Sequence, residues 1–172
     1  MSQLLRLAFA VGLAALMVSC ATQTNTKSPS TGVSGLHRMS KVRTTAYTHT
    51  EKGGRHSAIG TRLSGKNVQS AAADWSHFPL GTKFRILDTN EVFQIDDYGT
   101  ALIGTDTIDL YKTNRLAMRK WGVRHVDIDI LEWGSAEQSL QVLAPRARNR
   151  VCRCMILALQ ERTRTQATLR TF

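Results

Sequence analysis

The chain has 172 residues, 42% of them apolar and 21% charged, which describes one globular domain rather than a disordered or fibrous chain. Its one long apolar run lies near the N-terminus, so a polytopic membrane protein is excluded. The net charge of +10 falls mostly at the two ends, +3 in residues 1–40 and +5 in residues 136–172, and the near-neutral middle speaks against a nucleic-acid partner.

Residues 7–18 form an apolar run of 12 residues after Arg6. That is the length of a signal-peptide core and too short to span a bilayer as a helix. The run ends in Met17-Val18-Ser19-Cys20-Ala21, which resembles the cleavage pattern of a bacterial lipoprotein. Residues 1–19 are then a signal peptide, and Cys20 carries the lipid that ties the protein to a membrane. Two or more acyl chains anchor stably where one does not. Ala21, standing where Asp would mark inner-membrane retention, is similar to the outer-membrane class. Residues 20–40, rich in Ser, Thr, Gly, Asn and Gln, read as a flexible tether.

The middle segment, residues 41–135, carries strand signals. Residues 41–48 are rich in β-branched side chains. Residues 83–87 and 91–95 alternate apolar and polar around the turn Asp88-Thr89-Asn90. Residues 107–111 read as another short strand. In residues 125–130, Val126, Ile128 and Ile130 face one way while His125, Asp127 and Asp129 face the other. A helix is predicted from Thr113, as its cap, to Trp121, with Gly122 as its stop. About six short strands and one helix predict a mainly β fold, a small β-barrel with an inserted helix.

After Ser135, Pro145 and the Arg146-Ala147-Arg148-Asn149-Arg150 run mark a basic tail with one short apolar helical stretch at 151–159. Cys152 and Cys154 are too close in sequence for an unstrained disulfide and lack further zinc ligands, so they read as non-catalytic. His49, His56 and His77 show no metal-ligand spacing. No metal and no cofactor are expected.

The acids carry the chemistry. A strand ends in Asp97, a turn with Gly99 and Gly104 follows, and a second strand holds Asp109 between Ile108 and Leu110. If those two apolar neighbours pack inward, Asp109 faces a surface groove, with Asp97 at the neighbouring strand end. Two close carboxyls push their pKa values apart, so one stays protonated as an acid near neutral pH. This is equipment for glycosidic-bond cleavage, although an Asp in a turn is more often only a turn residue. Asp96, Asp127 and Asp129 read as solvated surface acids.

Seven pieces in order then resemble one family. Thr45-Ala46-Tyr47 resembles its opening Thr-Ala-Tyr, and Ser57-Ala58-Ile59-Gly60 its next small-residue turn. Ala71-Ala72-Ala73-Asp74 is similar to the segment with the first aspartate, and Phe78-Pro79-Leu80-Gly81-Thr82 resembles Ile-Pro-Leu-Gly-Thr. Asp97-Tyr98-Gly99-Thr100-Ala101 is similar to Asp-Thr-Gly-Gly-Ala, with the second aspartate, and Ile108-Asp109-Leu110-Tyr111 resembles the segment with the third. Gly122-Val123-Arg124 resembles the Gly-x-Arg before the last strand. Residues 41–135 thus resemble the three-aspartate (3D) domain family, similar to the catalytic domain of membrane-bound lytic murein transglycosylase A and to rare-lipoprotein-A-like barrels.

The resemblance implies a six-stranded double-psi β-barrel and a cell-wall lytic enzyme acting on the glycan strands of peptidoglycan. Asp109 matches the acid/base that cleaves the bond between N-acetylmuramic acid (MurNAc) and N-acetylglucosamine (GlcNAc), with a 1,6-anhydro product. Asp97 would tune it and stabilise positive charge on the sugar, and Asp74, the remaining aspartate of the catalytic three, either shares in this or only orients the loop. Tyr98, Tyr47 and Trp75 are candidates for stacking on sugar rings. The rival reading is a non-catalytic peptidoglycan-binding lipoprotein module. A monomer is expected.

Overall fold

In a computed structural model, which describes residues 37–51 and 54–169, the chain forms a closed barrel of six strands with helices packed outside it. The signal peptide, Cys20 and most of the tether lie outside the described residues. The strands are β1 (His37–Tyr47), β2 (Val68–Ala72), β3 (Lys83–Ile86), β4 (Val92–Asp97), β5 (Ile108–Tyr111) and β6 (Arg124–Glu132). Around the barrel the order is β1-β5-β2-β4-β3-β6. β1 pairs parallel with β5 and β2 parallel with β4, and the remaining pairings are antiparallel. The expected mainly β, six-stranded barrel is therefore present.

Alternation decides what fills it. Val126, Ile128 and Ile130 of β6 point inward, as their spacing predicts. Ile108 and Leu110 of β5, Ala71 of β2 and Ile86 of β3 join them. Phe84 and Phe93, directly paired across β3 and β4, stack 5.6 Å apart at the barrel centre. The turn between β3 and β4 closes on Asn90 at φ 56°, a conformation that Asn tolerates better than most residues.

Two boundaries and one strand differ from those predicted. β1 begins at His37, inside the segment read as tether, because its first residues pair with Asp129 and Ile130 of β6. The irregularity at Lys41, with φ 56°, is held by its N–H donating to Asp127. The inserted helix α1 spans Arg115–Trp121, and its cap is Asn114, not Thr113, because Asn114 Oδ1 accepts from the N–H of Ala117 at 2.9 Å. β2 was not predicted as a strand, since its Ser and Ala residues carry little strand propensity and only its neighbours make it one.

The largest difference is at the C-terminus. The sequence placed a domain boundary at Ser135 and a loose basic tail beyond it. Instead, α2 (Ala136–Leu143) and α3 (Arg150–Leu169) form a layer on the barrel's outside. Leu143, Cys152, Met155 and Leu159 belong to the same core as Trp75 and Phe78. Polar contacts lock this layer onto residues 76–80: the Leu80 N–H donates to Ser139 Oγ at 2.9 Å, and Arg162 donates to the Ser76 carbonyl. Gly134 permits the close approach, since a Cβ there would lie 2.3 Å from the carbonyl oxygens of Pro79 and Leu80. The apolar stretch read at 151–159 is the part of α3 that packs, and the basic residues on its exposed face are what made the segment read as a loose tail. No helix among the described residues is long and apolar enough to cross a membrane.

Because the helical layer shares the core, a protein ending at Ala144 is expected to lose cooperative unfolding. Met155, fully buried, gives the point test: Met155→Ala should cost about 2–5 kcal/mol in urea denaturation. A change within about 0.5 kcal/mol would mean that α3 is not part of the folding unit.

Candidate active site

Four neighbouring positions on the outside of the barrel make one row. Thr45 of β1 pairs with Asp109 of β5, Asp109 with Ala72 of β2, and Ala72 with Asp97 of β4. Paired residues face the same side of a sheet. Asp109 faces outward because Ile108 and Leu110, both fully buried, take the inward positions.

Asp97 reaches the row by a different device. Phe93 and Ile95 point into the barrel, so unbroken alternation would send Asp97 inward too. However, Ala71 pairs with Ile95 while the next residue, Ala72, pairs with Asp97. The extra residue, Asp96, makes a bulge that turns Asp97 onto the outer face. Its main chain is then pinned from below. The Asp97 carbonyl accepts from Trp75 Nε1 at 2.9 Å and from the Ala73 N–H at 3.2 Å.

Asp97 and Asp109 thus stand two strands apart, about 9.5 Å between Cα atoms, with only the methyl group of Ala72 between them. They share the floor of an open cleft of about 720 Å³. One wall comes from the turn of residues 54–63, including His56, Ser57 and Ala58, and another from the 3₁₀ turn Thr100–Leu102. Arg43, Glu51 and Tyr47 also line it.

The two carboxyls are held differently. Oδ1 of Asp97 accepts two backbone N–H bonds, from Tyr98 at 2.9 Å and Ala58 at 3.0 Å. Burial raises its pKa while these donors oppose the shift. Asp109 has one donor among the described residues, the Thr45 hydroxyl at 2.6 Å. Burial, followed by the charges of Glu51 and Asp97, raises its pKa to about 6, against the Thr45 bond and the charge of Arg43. Fixed N–H donors favour an ionised carboxylate, whereas a buried carboxyl near other negative charges keeps its proton longer. Burial therefore raises both carboxyls, with two N–H donors tempering the rise at Asp97, and Asp109 is poised to exchange a proton near neutral pH.

The other predicted site residues divide. Tyr47 and Tyr98 line the cleft. Tyr47 packs edge-on against Tyr111, and its hydroxyl is buried without a partner among the described residues. Burial, then Asp97, Asp96 and Asp109, raises its pKa well above the ordinary phenol value, so it stays an O–H donor. Asp74 and Trp75 do not line the cleft. Asp74 is 2% exposed and spends both oxygens on its surroundings: Oδ1 on the Ser76 N–H and hydroxyl, Oδ2 on the N–H of Gly104, whose φ of 75° glycine alone adopts easily. It anchors the loop after Asp97. Trp75 is fully buried, so it supports the backbone of Asp97 and has no face for a sugar.

Two of the acids read as solvated need correction. Asp129 is 6% exposed and paired with Arg38 at 2.9 Å. Asp127 is partly exposed and accepts from the Lys41 N–H. Asp96 is half-buried, accepts from the Ser70 hydroxyl at 2.7 Å, and has its other oxygen buried without a partner among the described residues. Sequence reasoning overlooked Thr45, Arg43, Glu51 and Ala72 as parts of the site, because only strand register brings them beside the acids. The spacing of Arg43, Thr45 and Tyr47 at every second position was the one available signal.

A scan against protein-family models and a search of curated proteins both find no match for this chain.

Asp96 offers a test of the local electrostatics. Burial is the main cause raising its pKa from 3.8 to about 6, with the Asp97 charge adding to the shift. The folded state thus holds this proton where the unfolded chain has lost it, so Asp96 lowers stability progressively as pH rises from about 4 to about 6. Asp96→Asn keeps an acceptor for Ser70 and removes that penalty. Its melting temperature relative to wild type should climb across this pH range and level off above it. A pH-independent difference would show that Asp96 ionises like a free carboxyl.

Proposed function

We propose that the protein is a lytic-transglycosylase-like enzyme of the three-aspartate, double-psi barrel kind, cleaving the MurNAc–GlcNAc bond of peptidoglycan strands. The observation that carries this reading is the pair of carboxyls on one cleft floor, Asp97 with two N–H donors and Asp109 with a single hydroxyl. The motif resemblance adds the identity of the glycan.

In this reading Asp109, protonated, gives its proton to the bridging oxygen as the bond to MurNAc C1 breaks. Positive charge spreads over C1 and the ring oxygen, and ionised Asp97 stabilises it. Asp109, now a carboxylate, takes the proton of the MurNAc C6 hydroxyl, whose oxygen bonds to C1. The products are a free GlcNAc hydroxyl and a 1,6-anhydro MurNAc end, and no water is consumed. Asp109 regains its proton and is ready for another cycle. Thr45 holds its carboxyl in place, and Tyr47 lines the same cleft. The open shape of the cleft suits an extended strand.

Asn has nearly the shape of Asp but cannot do this proton work. Asp109→Asn is expected to fold and bind glycan like wild type while release of soluble muropeptides falls about 10²–10⁴-fold. Asp97→Asn should also slow the reaction, and Asp88→Asn, exposed and away from the cleft, should not. Mass spectrometry of the products decides the chemistry, since an anhydro end is lighter than a hydrolytic end by one water. Glycan binding without fragment release by the wild type would replace the enzyme with the binding module.

The same reading has the protein exported and anchored by lipid on Cys20, facing the periplasm from the outer membrane. Metabolic labelling with a fatty-acid analogue should mark the wild type and leave Cys20→Ala unmarked. Equal labelling of both would remove the lipid anchor from this reading.

A further inference from the structure

The carboxyl row has a cation near each end. Arg43 lies two residues before Thr45 on β1, lines the cleft, and donates from Nη1 to Thr107 Oγ1 at 3.2 Å. At the other end Tyr98 follows Asp97 directly and also lines the cleft. Its ring stands edge-on to buried Trp75 with centroids 5.1 Å apart, which fixes its direction. The Tyr98 hydroxyl meets Cys152 Sγ at 3.3 Å and accepts from Arg146 Nη1 at 3.4 Å. Arg146 comes from the turn Ala144–Arg146 between α2 and α3, so the helical layer delivers a guanidinium to Tyr98, a residue that lines the cleft.

Arg146 is exposed and has no carboxylate partner among the described residues. A guanidinium offers five N–H donors in a flat fork suited to carboxylates, and Tyr98 engages only one of its nitrogens. Arg148, Arg150 and Arg153 nearby are exposed and likewise unpaired among the described residues, which adds to the positive field there. The floor, by contrast, carries Asp97, Asp109 and Glu51. A small anion would be repelled by that floor, and a wholly neutral glycan would leave the rim cations unused. The charge layout fits a chain that is neutral at the reacting rings and anionic at their substituents.

Resting on the glycan reading above, we propose that Arg146 is a specificity-determining residue that recognises carboxylates on the peptide stems of the muramyl units. The cleft then selects stem-bearing strands over bare ones.

The test measures binding of fluorescent glycan strands carrying their peptide stems, and of the same strands with stems removed by an amidase. Both are measured on the full chain in the Asp109→Asn background, which prevents cutting. The expected result is a roughly fivefold preference for stem-bearing strands, the size of one well-placed exposed ion pair, which weakens as salt is added. Arg146→Gln should erase the preference and leave affinity for stripped strands unchanged. Arg146→Lys should keep part of it. Arg164→Gln, which removes an equal charge from an arginine paired with Glu161, should keep all of it. Equal affinity of the parent protein for both strands, or a loss on Arg146→Gln that is the same for both, overturns the proposal and leaves the glycan reading standing. Binding of neither strand overturns both.

Discussion

The site depends on one irregularity in the barrel. The register of β2 against β4 advances by one residue on β2 and two on β4 between Ala71 and Ala72. Without that bulge Asp97 would follow Phe93 and Ile95 into an apolar interior, where an unpaired carboxyl is strongly disfavoured. With it, Asp97 stands in line with Ala72, Asp109 and Thr45. Bulges cost a ladder bond and bend the strand. Here the carbonyl of Asp97 is taken up by Trp75 and Ala73, so the main chain is satisfied at the distortion.

The second constraint is size. Ala72 sits between the two acids, and it is 5% exposed beneath the cleft. Any larger side chain there would occupy the space between the carboxyls. A small floor residue thus sets the opening, and strand spacing sets the span. The hydrogen-bond partners then separate the two acids electrostatically. Two fixed N–H groups oppose the rise that burial causes at Asp97, while Asp109 has a hydroxyl and the nearby charges of Glu51 and Asp97. Chemically identical side chains acquire different proton affinities from their surroundings.

The helical layer connects the core to this site. α3 buries Cys152, Met155 and Leu159 against the same cluster that holds Trp75 and Phe78. Trp75 supports Asp97 from inside, and Tyr98 is clasped between Trp75, Cys152 and Arg146 at the rim. Asp74 ties the loop after Asp97 to its own turn through Gly104. Asp74, which resembles a catalytic position in sequence, and Trp75, a candidate for sugar stacking, therefore act here as supports beneath the cleft.

Much of the barrel was legible in the sequence because local chemistry marks it. Alternation in β6 and β5 announces which side chains face inward, the Asp88–Asn90 turn announces a hairpin, and Gly122 announces the end of α1. The outward position of Asp109 followed from Ile108 and Leu110 alone. The apolar helical stretch at 151–159 was legible too, but the surrounding arginines made it read as part of a loose tail rather than as a face that packs on the barrel.

The sequence by itself determined the alternation that builds a barrel and the position of Asp109 on its outer face, since both follow from neighbours one or two residues away. Only the tertiary structure decided the rest of the site. Whether Asp97 faces in or out depends on a bulge across to β2, and whether Asp74 and Trp75 are exposed depends on α3, some 80 residues later. Pairing partners and burial are properties of elements distant in sequence, so no local pattern of residues encodes them.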